Sequence, residues 1–227
     1  LDSFGITKAR AHLINTEKIT LANNMHWTEV FPSGVVDLTL RHREAHSEEE
    51  KYQQESVYLI DQWCNMYEKK IQELGGIGFF LGGIGPDGHI AFNVRGSDHN
   101  STTRLTQTNF ETQAAAAVDL GGIEISRNRL VITIGLGSIT YNKNATAIII
   151  AAGEAKAPIV QKSIESKEDI MYPASSLQKI SNSRFYITEG AAKNLKDVID
   201  SYWFKPKWNI RKKQKALLKL SKDKQTF

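Results

Sequence analysis

The stretch TAIIIAAGEAKAPIVQKSIE, residues 146–165, decides the fold class. Its first six residues form a continuous apolar and β-branched run, which is typical of a strand covered on both faces of a parallel sheet. A helical pattern follows over residues 155–165. A buried strand that leads directly into a helix is the unit from which α/β sheets are built.

The same alternation continues outward from this stretch. Residues 129–134 (RLVITI) predict a strand of the same kind, and shorter runs at 77–81 and 184–188 predict two more. A second helical pattern covers residues 190–202. We therefore predict an α/β fold of Rossmann-like type, with an open, mainly parallel sheet and helices on both faces.

The region before the first predicted strand contains one long helix. Six apolar residues recur there at spacings of three and four, and Gly75-Gly76 ends the pattern. These residues are Val57, Ile60, Cys64, Tyr67, Ile71 and Leu74. The first fifty residues are polar and irregular, apart from a strand-like run at 11–15.

Composition narrows the classes of function. The chain has 227 residues, of which 41% are hydrophobic and 24% charged, as in an ordinary globular protein. A single cysteine, Cys64, excludes an intrachain disulfide and a four-thiolate zinc site. Neither a leader pattern nor an apolar stretch of membrane-spanning length is visible. We expect a cytoplasmic protein with no membrane partner.

The positive charge is concentrated at the end of the chain. Residues 205–227 contain nine basic residues and one acidic residue, a net charge of +8, so residues 1–204 carry −4 of the total of +4. We predict one α/β domain over residues 1–204 and a basic tail over 205–227. Trp203, Phe204 and Trp208 lie among the first cations and could bind nucleic acid. A solvated or docking tail is commoner, so we expect no nucleic-acid partner.

A glycine-rich turn at residues 82–89 (GGIGPDGH) follows the predicted strand at 77–81. Gly83, Gly85 and Gly88 match the G-x-G-x-x-G motif of dinucleotide-binding proteins. However, Asp87 lies within this motif, and a carboxylate there would repel a pyrophosphate. P-loop and nucleophile-elbow motifs are absent from the sequence. His42 and His46 share a helical spacing in a very polar segment, which favours a solvated face, so we predict no metal site.

Asp87 and His89 form the most reactive combination in the sequence. An imidazole can shuttle a proton near neutral pH, and a carboxylate two residues away can orient it and stabilise its charged form. The glycines Gly83, Gly85 and Gly88 would let backbone amides approach an anionic or polyhydroxylated ligand. A turn in which both side chains have only structural roles is an equal alternative on residue types alone.

The segment GGIGPDGHIAFN, residues 82–93, resembles the signature of the glucosamine-6-phosphate deaminase/isomerase family, which shares its DGH core with the 6-phosphogluconolactonases. Four later blocks match the family in the same order, and the similarity runs from about residue 55 to about residue 195. They are STTRLTQT at 101–108, RLVITIGLGSI at 129–139, IIIAAGEAKA at 148–157 and SSLQ at 175–178.

The resemblance implies a Rossmann-like fold, homo-oligomers and a reaction that needs no metal or organic cofactor. It assigns sugar-ring opening to His89, assistance of that histidine to Asp87, and the substrate phosphate to Lys156, whose ammonium group is a strong point charge. Arg104 matches an arginine that binds an effector in some members. We include Arg104, with the three turn glycines, among the ligand-binding candidates.

This sequence departs from the family at three places. Val94 stands where the family has a glutamate that completes a relay with the histidine and the aspartate; Asp98 is close enough in sequence to replace it. Residues 114–118 (AAAAV) stand where the family has a phosphate-binding arginine. No segment upstream of His89 matches the family's phosphate loop or C2 base. We expect a chain that lacks the family's N-terminal part, or whose missing half another chain supplies.

Three functions follow as hypotheses. The leading one is aldose–ketose isomerisation of an amino-sugar or hexose 6-phosphate, with or without deamination, through Asp87 and His89. The second is a sugar-phosphate-binding or assembly module that has lost catalysis, which the three departures motivate. The third is a lactonase-type hydrolase, which would need no C2 base.

Overall fold

The computed structural model describes residues 5–110, 113–114, 130–199 and 210–224. Five strands are β1 (Phe79–Gly83), β2 (Arg104–Gln107), β3 (Leu130–Thr133), β4 (Thr146–Ala151) and β5 (Asn182–Ile187). The helices are α1 (Trp27–Val30), α2 (Glu48–Glu73), α3 (Leu136–Thr140), α4 (Ala157–Glu165), α5 (Glu189–Ala192) and α6 (Ile210–Lys224). Short 3-10 segments include Glu154–Lys156 and Pro173–Lys179.

A three-stranded parallel sheet forms the centre of the fold. Its order is β1-β4-β5, with Gly83 opposite Ile150 and Ile150 opposite Tyr186. Helices α3 and α4 and the segment Pro173–Lys179 contribute buried residues to the core on one face. The predicted α/β class and parallel sheet are confirmed, and β4 has the predicted bounds.

The expected second layer of helices is absent from the described residues. Along each strand successive side chains alternate between two faces, and here one face is buried while the other is exposed. In β4, Ile149 is 0% exposed whereas its neighbour Ile150 is 55% exposed. The described helices that follow the strands lie on one face, so no described helix covers the other face.

The strand over RLVITI exists, but its predicted place was wrong. Residues 130–133 form β3, which pairs antiparallel with β2 in a separate two-stranded sheet. This sheet packs on α2, where Leu105, Leu130 and Ile132 join Ile60 and other apolar residues. An apolar run shows that a strand is buried, but it does not reveal the partner strand.

Two further predictions differ from the structure. The run at 11–15 is irregular rather than a strand. The carbonyl of His12 accepts a hydrogen bond from the Tyr67 hydroxyl at 2.6 Å, and Asn15 caps the next 3-10 turn. The helix predicted at 190–202 is interrupted: α5 begins after the N-cap Thr188 and ends at Ala192, a turn follows, and the chain is helical again at 196–199. Residues 200–202 lie outside the described part of the chain. The long helix α2 is confirmed and ends before Gly75 and Gly76, which both have positive φ.

Helix α2 is tied to the rest of the fold by a buried carboxylate. Glu68 accepts hydrogen bonds from the backbone and hydroxyl of Thr103, at 3.1 and 2.9 Å, and from the Ser138 hydroxyl at 2.5 Å. All three bonds go to Oε2, while Oε1 lies 3.5 Å from the side-chain amide of Gln72, so the buried carboxylate has polar partners as it requires. This network joins α2, the start of β2 and α3.

The end of the chain forms α6, which contains most of the predicted basic tail. Trp203, Phe204 and Trp208, and the predicted domain boundary after residue 204, lie outside the described residues. The domain division and the role of the tail stay predictions. No helix in the described part of the chain combines the length and the apolar character needed to cross a bilayer.

Candidate functional site

The candidate site lies at the carboxyl edge of the parallel sheet. The glycine turn, residues 82–89, begins within β1, and the 3-10 segment Glu154–Lys156 follows β4 at the same edge. Ligands of open α/β sheets bind beyond this edge. A cavity of about 470 Å³ opens there, within the usual range of ligand pockets of ~300–1,000 Å³. Its lining includes Gly83, Gly85, His89 and Lys156.

Asp87 and His89 form a hydrogen-bonded pair, which we call the dyad. The distance from His89 Nδ1 to Asp87 Oδ1 is 2.6 Å, and Asp87 is buried. An ionised carboxylate only accepts hydrogen bonds, so Nδ1 carries the proton and Nε2 is the basic nitrogen of the ring. This tautomer is the one that can take a proton from a ligand.

The carboxylate of Asp87 has partners on both oxygens. Its Oδ2 accepts from the Asn109 side-chain amide at 2.6 Å and from the backbone N–H of Arg95 at 3.2 Å. Burial by itself would raise the pKa of Asp87, but the hydrogen bonds from His89 and Asn109 outweigh it and hold the pKa below its usual value. Asp87 therefore stays ionised and can stabilise an imidazolium.

The glycines shape the turn rather than offering free amides. The Gly85 N–H donates to the carbonyl of His89 at 2.9 Å, and the Gly88 N–H donates to the carbonyl of Gly85 at 3.1 Å. A Cβ on Gly85 would lie 2.0 Å from His89 Cε1, and Gly88 has a φ of +86° with Ile159 against it. Both glycines are thus required by close contacts within the turn.

Lys156 adds a positive charge to the lining of the cavity. Its Nζ donates to the carbonyl of Ile84 at 2.8 Å. Partial burial lowers the pKa of Lys156, and the nearby charge of Asp87 acts in the opposite direction. An ammonium group held beside a histidine and an ionised carboxylate can bind a phosphate as a point charge.

Arg104 does not line this cavity. Its guanidinium donates to Asn93 Oδ1 at 2.9 Å and lies 3.3 Å from the Ser97 hydroxyl. Asn93, fully buried, also donates to the carbonyl of Ile134 at 2.8 Å. Arg104 therefore ties β2 to the loop that follows the turn, and its role toward a ligand stays a prediction.

Two positions that the sequence singled out do not join the dyad. Val94 has no polar side-chain atom, and the proposed replacement Asp98 accepts from the Asn100 N–H at 2.8 Å within its own loop. Residues 115–118 of the AAAAV stretch lie outside the described residues.

His42 and His46 are exposed in an irregular segment. No group of three potential metal ligands occurs among the described residues.

Asn109 is the site residue that the sequence analysis missed. A single asparagine twenty residues after the turn has no spacing or pattern that connects it to Asp87. Only the folded chain brings the end of β2 next to the turn. The sequence contained one indirect signal. Val94 stands where the resemblance implies a glutamate, so a different polar residue could be expected to contact the dyad.

Comparison with known proteins identifies relatives of this chain. The chain is 38% identical over 138 residues to a glucosamine-6-phosphate isomerase of Candida albicans, a match that covers 60% of this chain and 55% of the relative. It is 37% identical over 133 residues to glucosamine-6-phosphate deaminase 2 of Bos taurus, covering 59% and 48%. The chain is related to the glucosamine-6-phosphate deaminases. The resemblance expected from the sequence is thereby confirmed.

The fold comparison agrees with this relationship to the deaminases. The chain superposes on the solved structure of a monomeric glucosamine-6-phosphate deaminase with a TM-score of 0.54 and 30% identity, over 59% of this chain and 54% of that one. No family model matches the chain. The chain spans about half the length of the curated relatives that it matches.

Proposed function

We propose that this chain contains the ring-opening part of an amino-sugar-phosphate isomerase/deaminase site. The observation that supports it most is that His89 and Lys156 line one cavity at the carboxyl edge of the sheet, with the buried Asp87 hydrogen-bonded to His89 behind it. The similarity to glucosamine-6-phosphate deaminases names the substrate class: a phosphorylated amino sugar.

In this proposal the dyad performs the first step of the reaction. Nε2 of His89 takes the proton from the C1 hydroxyl of the cyclic sugar, the C1–O5 bond breaks, and O5 receives a proton. The product is the open-chain aldehyde with a hydroxyl at C5. Asp87 stays ionised throughout and stabilises the imidazolium that forms on His89. Lys156 holds the phosphate at the other end of the sugar.

The full reaction then moves the carbonyl from C1 to C2. A proton leaves C2 and another is added at C1, and water replaces the amine at C2, so that a ketose 6-phosphate and ammonia are released. We assign no residue of the described part of this chain to the C2 proton. The homo-oligomeric state, the cytoplasmic location and the absence of a cofactor stay predictions.

A second candidate function is a binding module without turnover. It is favoured by Val94, which places no carboxylate where the resemblance implies the glutamate of the relay. In this alternative Lys156 and the glycine turn bind a sugar phosphate, and the dyad has lost its catalytic role. The lactonase alternative stays a prediction from the DGH core.

Exchange between the α and β anomers of glucosamine 6-phosphate tests ring opening without any C2 base. NMR exchange spectroscopy measures this rate with the chain, with His89→Ala and with His42→Ala, which removes an exposed histidine outside the cavity. We expect the chain to accelerate the exchange, His89→Ala to lose about 100-fold of that acceleration, and His42→Ala to behave as the parent.

Calorimetric titration of the same sugar phosphate separates the two candidates. Binding that Lys156→Met weakens, without accelerated exchange, would replace the enzyme by the binding module. Equal acceleration by the parent and by His89→Ala would contradict the role of the dyad. Absence of binding by the parent would contradict both functions.

A further inference from the structure

Helix α6 carries a dense positive charge. Its 15 residues, Ile210–Lys224, contain seven basic residues and one acidic residue, a net charge of +6. The candidate site does not use this helix, since no residue of α6 lines the cavity beside His89. Cations at this density on one helix indicate an anionic partner.

Large apolar side chains are exposed along one side of α6. Ile210 is 76% exposed, Leu217 is 67% exposed and Leu218 is 63% exposed. At about 100° per residue, these three positions fall within one arc of about 100° around the helix axis. We call these three residues the apolar strip. Apolar side chains that are exposed as a group, rather than singly, indicate contact with an apolar partner.

The opposite side of α6 is buried. Lys212, about half a turn around the axis from the apolar strip, is only 4% exposed, and Ala216 on the same side is half-buried. Only one side of the helix is therefore open to a partner. A flat surface can contact a helix in this state, whereas a groove that encloses a helix would first have to release Lys212.

Two lysines flank the apolar strip. Lys213 lies about 80° around the axis to one side of the strip and Lys215 about 120° to the other, and both are exposed. A lysine can lay its methylene groups along an apolar surface while its ammonium group stays in water. An apolar strip between cations is typical of helices that lie in the interface of an anionic membrane.

The apolar strip also decides between the two anionic surfaces that a basic helix commonly meets. Nucleic acids attract lysines through their phosphates and hold aromatic side chains by stacking, and neither contact uses exposed aliphatic side chains. A lipid bilayer offers anionic headgroups to Lys213 and Lys215 and, beneath them, acyl chains to the apolar strip. The pattern of α6 therefore favours lipid.

We propose that α6 is a membrane-surface helix that binds an anionic lipid bilayer. The apolar strip inserts at the boundary between headgroups and acyl chains, and Lys213 and Lys215 contact the headgroups. Binding of this kind combines burial of apolar area with attraction to anionic lipid, so it requires both and weakens with salt. It needs no membrane-spanning helix, and it would overturn the sequence-based expectation of no membrane partner.

Co-sedimentation of the chain with lipid vesicles tests this proposal. The vesicles contain either phosphatidylcholine alone or phosphatidylcholine with about 30 mol% phosphatidylserine. The variants are Leu217→Ser in the apolar strip and Lys213→Gln beside it. Their matched controls are Met66→Ser and Lys69→Gln on α2, where both side chains are exposed. Far-UV circular dichroism checks that each variant keeps the helix content of the parent.

We expect the parent to bind the anionic vesicles at least about tenfold more tightly than the neutral ones. Leu217→Ser should weaken this binding about tenfold, because it removes a leucine from the apolar contact, and Lys213→Gln should weaken it about fivefold. Raising the salt concentration from about 0.15 M to about 0.5 M should weaken it further. Both control variants should bind as the parent does.

Three results would overturn the proposal. One is no binding to the anionic vesicles, or equal binding to both compositions. Another is equal weakening by Leu217→Ser and Met66→Ser, which would show that the apolar strip is not the contact. A third is a preference for a single-stranded oligonucleotide over the anionic vesicles, weakened by Lys213→Gln and unchanged by Leu217→Ser, which would assign α6 to nucleic acid.

Discussion

The two faces of the parallel sheet come from the same strands and have opposite environments. On the covered face Ala147, Ile149 and Ala151 are buried against α3, α4 and the segment Pro173–Lys179. On the other face Ile150, identical to Ile149 and next to it in the chain, is 55% exposed. The comparison shows that an apolar residue in a strand does not by itself tell whether its face is covered, since the described part of this chain covers only one of the two faces.

The largest expected difference between the faces is in stability. Ile149→Ala removes a fully buried side chain and should cost about 2–5 kcal/mol of the free energy of unfolding, because it leaves a cavity. Ile150→Ala should cost less than ~1 kcal/mol in the chain alone. Urea unfolding followed by circular dichroism measures both. Equal losses of unfolding free energy in the two variants would show that the face that contains Ile150 is covered in solution.

Two glycines of the turn form a second comparison, because Gly85 is in a crowded environment and Gly83 is in an open one. A Cβ on Gly85 would meet His89 ring atoms at 2.0–2.5 Å, whereas a Cβ on Gly83 would have its nearest neighbour at 3.9 Å. Gly85→Ala should therefore displace the imidazole and cost about 1–3 kcal/mol, and Gly83→Ala should cost much less.

The imidazole signals of His89 in NMR spectra, together with urea unfolding, check this pair. A shifted His89 signal only in Gly85→Ala is the expected outcome. Unchanged signals in both variants would mean that the ring does not lie against Gly85.

Asn109 extends the comparison to the hydrogen bonds of the dyad. Asn109→Ala leaves Asp87 Oδ2 without its closest donor and should cost about 1–2 kcal/mol, since the acceptor is a buried carboxylate. The same change at the exposed Asn144 is the matched control and should be almost neutral. Urea unfolding measures both, and a neutral Asn109→Ala would show that Asp87 does not depend on this amide.

The smallest effect is the pH dependence that comes from Asp87. Because its pKa is lower in the folded chain than in the unfolded chain, ionised Asp87 stabilises the fold, fully above the unfolded pKa of about 3.9. This contribution is lost as the pH falls through the folded pKa. The free energy of unfolding should therefore decrease from pH 5 to pH 3 less steeply in Asp87→Asn than in the parent. Parallel pH curves would contradict the assignment.

Local patterns predicted the parts of the fold that depend on neighbours in sequence. The stripe of α2, the run of β4 and the glycine turn with Asp87 and His89 each have a recognisable spacing, and all three are confirmed. The parts that depend on distant partners were not predictable. RLVITI forms β3 beside β2 rather than a strand of the parallel sheet, since burial alone does not choose a partner.

The candidate site divides in the same way. Asp87 and His89 are two residues apart, so their chemistry was visible in the sequence, and Lys156 was found through the resemblance. Asn109 was missed because its contact with Asp87 spans 22 residues. The exposed face of the parallel sheet was not predicted. A continuous apolar run predicts that both faces of a strand are covered, but it does not show which part of a chain covers each face.

The most direct test of the account is the rate at which this chain exchanges the α and β anomers of glucosamine 6-phosphate, measured by NMR beside His89→Ala and His42→Ala. We predict that the chain accelerates the exchange and that His89→Ala loses about 100-fold of this acceleration. Equal acceleration with and without His89 would contradict the central claim that this chain contains a ring-opening dyad.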